Sequence, residues 1–291
     1  MILQKSMSMI SLAIAGLTAS FTGLANAEDT AVPVVYVVPM SGQMGTDIHP
    51  SIYDDVIEDI LKVQPDVIVY QLKSADIDTN FYLAGNDDRR EFGMAKIGEY
   101  RELVRALHQK LDARQVMWVE DSVGLGSLLA LSWPEMYMSE GARLWGLARV
   151  SQMAAGWSDP DVASKMLNAW VGMGNGFLQI GGYPLEIGWA MMRPEYALSA
   201  SFKGRKVTWT NDTGGQWVVD SNKEGVANFN ASLAEDMGLS QGTVANLDDL
   251  MFLLGYREYD EVESGKDMVT KYVEDWRRTF ERCKSWYADA Q

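Results

Sequence analysis

The sequence predicts an α/β fold built on a parallel sheet with both faces covered. Three observations predict it. Apolar, largely β-branched runs (Val34–Val38, Val67–Tyr70 and Val116–Val119) alternate with stretches of helical periodicity. These runs carry no polar alternation, which suits strands buried on both faces. A glycine turn, Gly124-Leu125-Gly126, follows the third run and opens an apolar helix. Strands that alternate with helices imply right-handed βαβ units.

Each element has its own signal. Pro39 and Ser41-Gly42 end the first strand. Residues 51–63 set Ile52, Val56, Ile60 and Val63 on one helical face, and Pro65-Asp66 breaks that helix before the second strand. Residues 74–92 are polar, rich in Asp and Asn, and read as a loop. Residues 94–112 form a helix with Ile97, Leu103, Val104, Leu107 and Leu111 inward, ahead of the third strand. After the glycine turn, Glu135–Met138 reads as a strand and Gly141–Gly146 as a turn. Residues 160–178 and 184–192 are helical. Lys206–Trp209 and Gln216–Val219, with Asn211 to Gly215 between them, read as a β-hairpin. Residues 231–256 return to α/β, with Leu247–Leu250 opening a short helix. Roughly residues 265–288 form a charged amphipathic helix with Met268, Tyr272, Trp276 and Phe280 near one face.

Three regions follow: a signal peptide over residues 1–27, a main domain over 28–260 and a helical extension over 261–291. Lys5 precedes an apolar run, Met9 to Leu24, which ends at Ala25-Asn26-Ala27. That is an A-x-A cleavage site, with cleavage expected after Ala27. The run is shorter than the ~20 residues of a membrane span. The mature protein is therefore expected in the periplasm or outside the cell, with no integral membrane segment. The net charge of −15 argues against nucleic acid as a partner. Cys283 is the only cysteine, which excludes an intrachain disulfide. His49 and His108 are the only histidines, so a histidine-based triad would have to use one of them. No Cys/His cluster has zinc-ligand spacing, and no cofactor is expected. Gly172-Met173-Gly174-Asn175-Gly176 follows no strand, so it is not a dinucleotide fingerprint.

The stretch from Gly124 to Gly146 resembles the ClpP/crotonase superfamily, and within it the NfeD-type and signal-peptide-peptidase-A-type serine proteases. The resemblance rests on Gly124-Leu125-Gly126-Ser127-Leu128-Leu129-Ala130-Leu131, then Glu135-Met136-Tyr137-Met138, then Gly141-Ala142-Arg143-Leu144-Trp145-Gly146. It extends over about residues 33–256. It implies a spiral of βαβ units with a β-hairpin insertion. A second anchor is Lys165-Met166-Leu167-Asn168, with Gly182 following, which resembles the segment carrying the family's general-base lysine; Lys165 takes that role by resemblance. Phe229 to Tyr256 is similar to the family's closing stretch. The resemblance also implies a homo-oligomer and a groove for extended peptide.

The chemistry departs from that pattern. A Ser/Lys hydrolase needs a hydroxyl at the helix N-terminus, an amine whose burial keeps it neutral often enough to take a proton, and backbone N–H groups aimed at the oxyanion. The family's serine position is Gly124, which has no side chain. Leu125 and Gly126 would supply the oxyanion N–H groups from the helix turn. The loop after the second strand, Lys73 to Asp78, would supply others through Ala75 and Asp76. It lacks the family's Gly-Gly pair, and Asp76 would set negative charge beside an oxyanion. Ser122 and Ser127 are the hydroxyls left nearby. Each reads first as an ordinary turn or core residue, and second as a relocated nucleophile. Glu120 and Asp121 read as a solvated strand end or as an acid/base pair. Trp133, Trp145, Trp170, Trp189, Trp209 and Trp217 read as core first and as groove lining second. The expected function is an exported pseudo-peptidase that binds peptide or protein through the inherited groove. The alternative is an active peptidase with Ser122 or Ser127 as nucleophile and Lys165 as base.

Overall fold

A computed structural model describes residues 32–74, 97–147, 150, 157–204 and 206–289. Residues 1–27, expected as a signal peptide, and Ala75, Asp76 and the rest of the polar loop up to residue 92 lie outside the described residues. Val32–Gln291 forms one compact unit.

The α/β class and the parallel sheet are as the sequence predicts. Strands β1 (Val34–Ser41), β2 (Val67–Lys73) and β3 (Arg114–Val123) alternate with helices α1 (Ile52–Val63) and α2 (Ile97–Lys110). Helix α3 (Leu125–Ala130), β4 (Met136–Ser139) and β5 (Arg143–Trp145) follow. The chain continues through α4 (Pro160–Gly181), α5 (Leu185–Met192), β6 (Leu198–Lys203), β7 (Lys206–Thr210), β8 (Trp217–Asp220) and β9 (Asn228–Asn230). It ends with α6 (Ala231–Asp236), β10 (Thr243–Val244), α7 (Leu247–Leu253), β11 (Asp260–Val262) and α8 (Ser264–Asp289). The main sheet has the order β10-β4-β3-β2-β1-β11, all parallel. The far end of β3 leaves β4 and pairs with β5, which pairs antiparallel with β9.

Alternate residues of the central strands feed two cores. Tyr36, Val38, Ile68, Tyr70, Met117 and Val119 face the larger one, which most of the helices complete. Val35, Val37, Val67, Val69, Val116 and Trp118 face a smaller one closed by Leu250, Met251 and Leu254. Both faces are thus dry, which explains why the strand sequences show no polar alternation. At the end of β2 the register slips: Leu72 pairs with Val119 but Lys73 pairs with Asp121, so Glu120 is an extra residue in β3.

Three features differ from the expectation. The hairpin arms are β6 and β7, which meet antiparallel from Ser199 opposite Thr210 to Lys203 opposite Lys206. β8 does not pair with β7 as expected; it lies on the other side of β6. β6 escapes sequence reading because Leu-Ser-Ala-Ser has weak strand propensity. The turn expected at Gly141–Gly146 contains β5, a strand too short to show periodicity. β11 adds to the free edge of β1, with Val34 opposite Asp260.

Helix α8 is fastened along its first half. Gly265 lies so close that a Cβ there would sit 2.8 Å from the Val37 carbonyl oxygen. Ser264 Oγ and Tyr36 Oη both donate to Asp59 Oδ2, at 2.5 and 2.8 Å. Arg277 Nε donates to Asp47 Oδ1 at 3.1 Å, and the Asp47 side chain is fully buried. Among the described residues no helix is long and apolar enough to cross a membrane.

Candidate functional site

The site is the turn between β3 and α3. Gly124 there has φ 71° and ψ −125°. Side-chain-bearing residues occupy that region at a cost of about 1–3 kcal/mol, and a glycine occupies it freely. A sharp strand-to-helix turn of this kind is how several hydrolases lift a nucleophile out of a sheet. The turn is held by Gly124 N–H donating to the Trp145 carbonyl at 2.9 Å. Leu128 N–H donates to the Gly124 carbonyl at 3.3 Å. A Cβ at Gly124 would meet one atom within 4 Å, Leu147 Cδ1 at 3.3 Å, the far end of a flexible side chain. The turn therefore has a positive-φ backbone with room for a side chain and carries no hydroxyl at position 124. Gly124→Ser is expected to fold and to lose about 1–3 kcal/mol from strain alone. Gly124→Ala should lose the same, which urea unfolding of both variants checks.

Behind the turn lie three hydroxyls. Ser122 Oγ is 3.1 Å from Ser74 Oγ and 3.2 Å from Ser127 Oγ. Ser122 and Ser127 have no exposed surface. Gly126 makes the cluster possible, because a Cβ there would run into Ser74 Oγ and lie 2.9 Å from Ser122 Oγ. The structure thus brings Ser122 and Ser127 together with each other, on the core side of the turn. Leu125 and Gly126 open α3, so their N–H groups have no partner within that helix.

Lys165 is exposed on α4 and has no hydrogen bond or ion pair with another described residue. It lies nine residues before Gly174, the point where α4 passes Leu128 of α3. That separation is about 13 Å along the helix axis. Helix α4 itself is well started: Asp159 caps it by accepting from Asp161 N at 2.8 Å.

The two carboxylates at the end of β3 are both engaged. Glu120 accepts from Gln71 Nε2 and lies 3.5 Å from Lys73 Nζ. Asp121 is clamped by Arg143, whose Nε and Nη2 donate at 2.9 and 2.6 Å, and whose backbone N–H donates at 3.0 Å. Burial alone would raise the Asp121 pKa, but the Arg143 bonds outweigh it and hold the carboxyl below its ordinary value. The pair therefore braces β3 against β5, and Arg143 also stacks over Trp145, 5.1 Å from its ring centre. A depressed carboxylate pKa stabilises the fold above the ordinary value of about 3.9. That stability is lost as pH falls through the lowered value. Asp121→Asn should cost about 0.5–1.5 kcal/mol at neutral pH, with the difference from wild type vanishing in acid. Urea midpoints at a series of pH values would show it.

The histidines lie elsewhere. His108 Nε2 bonds the Ser132 carbonyl at 3.0 Å, which makes Nε2 the protonated nitrogen, and burial lowers its pKa. His49 Nδ1 bonds Ser51 Oγ at 2.7 Å. Neither of these bonds reaches Ser122. Among the described residues no group of three or more His, Cys, Asp or Glu could hold a metal ion. Of the six tryptophans read as possible groove lining, Trp133 and Trp209 are core, Trp170 and Trp189 are half-buried, and Trp145 and Trp217 are exposed.

Sequence reading missed Ser74, Arg143 and Leu147. Ser74 borders the loop already singled out, but its partner Ser122 is 48 residues away. Only the adjacency of β2 and β3 brings them together.

No family model matches this chain, and no curated protein sequence matches it. Among solved structures it is similar to a mutant of the 1510-N membrane-bound stomatin-specific protease in complex with a substrate peptide. Identity is 13%, covering 76% of this chain and 80% of that one, with a TM-score of 0.47. It is also similar to the 1510-N membrane protease specific for a stomatin homolog from Pyrococcus horikoshii, at 14% identity over 77% and 79% of the two chains, TM-score 0.43. A peptidase from Plasmodium falciparum matches at 10% identity over 72% of this chain and 95% of that one, TM-score 0.39.

Proposed function

We propose that this chain is an exported, ClpP/crotonase-like relative of the serine peptidases that has lost the nucleophile and binds an extended peptide or protein segment. The observation that carries the reading is Gly124, which keeps the backbone of a nucleophile turn with no hydroxyl on it. Three further placements support it. Ser122 and Ser127 are fully buried and bonded to each other. Lys165 is exposed on α4. The Arg143 clamp occupies Asp121.

Binding of an extended segment needs a strand edge. β5, beside the turn, is paired on both sides. β8 pairs with β6 on one side only among the described residues, and its Trp217 and Val218 are 49% and 44% exposed. The unpaired N–H and C=O groups of such an edge are a template for another strand. Export rests on the leader-like residues 1–27 and is tested by N-terminal sequencing of the secreted or periplasmic fraction, with Glu28 as the expected first residue.

The activity test is labelling with a fluorophosphonate probe beside Ser122→Ala, Ser127→Ala and Lys165→Ala. The wild-type chain is expected to stay unlabelled. Labelling lost in one serine variant and weakened without Lys165 would instead establish the relocated Ser/Lys nucleophile. The binding test is an array of short unstructured peptides probed with wild type and with Val218→Lys, which puts a charge on the open edge. Loss of bound peptide in the variant supports strand addition at β8, and unchanged binding places the peptide elsewhere.

A further inference from the structure

The last turns of α8 reach past the body of the protein. All nine residues from 281 to 289 are exposed, about 13 Å of helix. Trp286 and Tyr287 are 64% and 70% exposed, the two most exposed large apolar side chains among the described residues.

The pattern on that overhang is not random. Val269, Val273, Trp276, Phe280, Cys283 and Tyr287 are spaced alternately four and three residues apart, the heptad spacing of a coiled-coil seam. The first members of the seam serve the protein itself: Val269 is buried, and Val273 packs against the larger core. The seam then continues in the same phase into the overhang, where Cys283 and Tyr287 have no cover.

We propose that the overhang pairs with the same helix of a second copy of this chain, in parallel and in register. A heptad seam fits another heptad seam, and the copy supplies one of the same phase. Charge selects the direction. Arg277 and Lys284 flank the seam on the side following Trp276 and Cys283, while Thr279 and Trp286 flank it on the other. An antiparallel pairing centred on the overhang sets Lys284 against Lys284 of the other copy. A parallel pairing sets Lys284 beside the uncharged Thr279. The overlap is short, and each copy carries a net charge of −15, so the pair is dissociable and tightens with added salt.

Cys283, the only cysteine, reports directly on this arrangement. In a parallel, in-register pair the two thiols face each other across the seam. Two copper(II)–phenanthroline complexes would each accept one electron and become copper(I) as the two thiols lose their protons and join as a disulfide.

The experiment is sedimentation velocity of the reduced chain over a concentration series, with copper(II)–phenanthroline cross-linking at each concentration. The expected result is a rise from the mass of one chain towards twice that mass, with cross-linked dimer tracking it. Trp286→Glu/Tyr287→Glu should stay at one chain and lose the cross-link. Moving the cysteine off the seam (Cys283→Ser with Ser285→Cys) should keep the dimer and lose the cross-link. A chain of constant single mass overturns the proposal, as does a dimer that survives the double glutamate variant. A dimer that does not cross-link through Cys283 overturns the parallel register. All the substituted positions are exposed, and circular dichroism of each variant verifies that the fold is intact.

Discussion

Gly146→Ala is expected to destabilise the chain by about 3 kcal/mol or more. A Cβ at this position would lie 2.7 Å from the Ala227 carbonyl oxygen, 2.9 Å from Val226 Cγ2 and closer still to the Met191 carbonyl oxygen. Two of these three obstacles are backbone atoms, so no side-chain rotation relieves the clash. Both are tied down. The Met191 carbonyl accepts from Leu147 N–H at 2.7 Å, and the Ala227 N–H donates to the Ala190 carbonyl at 2.9 Å. Gly146 itself donates to Asn228 Oδ1 at 2.9 Å. Relief therefore requires β5 to part from the end of α5 or from the approach to β9. Leu147, whose Cδ1 sits over Gly124, would move with it. The check is urea unfolding beside Asn228→Ala, which removes one hydrogen bond and should cost only about 1 kcal/mol. A Gly146→Ala midpoint within error of wild type would falsify the packing described for this turn.

Trp133→Ala should cost about 3–5 kcal/mol, the range for removing a buried aromatic side chain. The ring is fully buried, 4.6 Å between centroids from Tyr70 and 5.4 Å from His108. Its Nε1 donates to Gln115 Oε1 at 3.4 Å. Removing it opens a cavity between β2, α2 and the end of α3. His108 gives a second, local readout. Burial now lowers its pKa, so the fold is stabilised above the ordinary histidine value of about 6.5 and loses that contribution as pH falls through the lowered one. Water entering the cavity should move the His108 titration up towards 6.5, visible by proton NMR. A large stability loss with an unmoved His108 titration would mean that the cavity collapses instead of hydrating.

The central strands were legible because double burial writes itself as an unbroken apolar run. Their ends were not. β3 continues through Glu120, Asp121 and Ser122 because β5 and the Arg143 clamp support these polar residues, and neither is local in sequence. Strand β6, the middle strand of its small sheet, stayed hidden because Leu-Ser-Ala-Ser has weak strand propensity, and the edge strand β11 because its three residues leave little pattern. At the candidate site, Gly124 and Gly126 stood out as a turn, and the lack of a side chain at position 124 could be read directly. The conformation of Gly124, the sealing of Ser122 behind Gly126 and the exposure of Lys165 come from tertiary packing. No spacing along the chain encodes them.

The extra residue in β3 governs what insertions and deletions this region can accept. Side chains alternate between the two faces of a strand, and Met117 and Val119 face the larger core. If β3 ran through Glu120 in regular alternation, Ser122 would fall on the opposite face, away from Ser127. The slip between Leu72 and Lys73 restores it to the side of α3. Deleting a single residue between Val119 and Ser122 would therefore remove the bulge and keep the facing of the strand-to-helix junction, while removing two would turn the junction over. One deletion here is absorbed by the spare residue and a second is not, a constraint of parity that acts independently of which amino acids fill the positions.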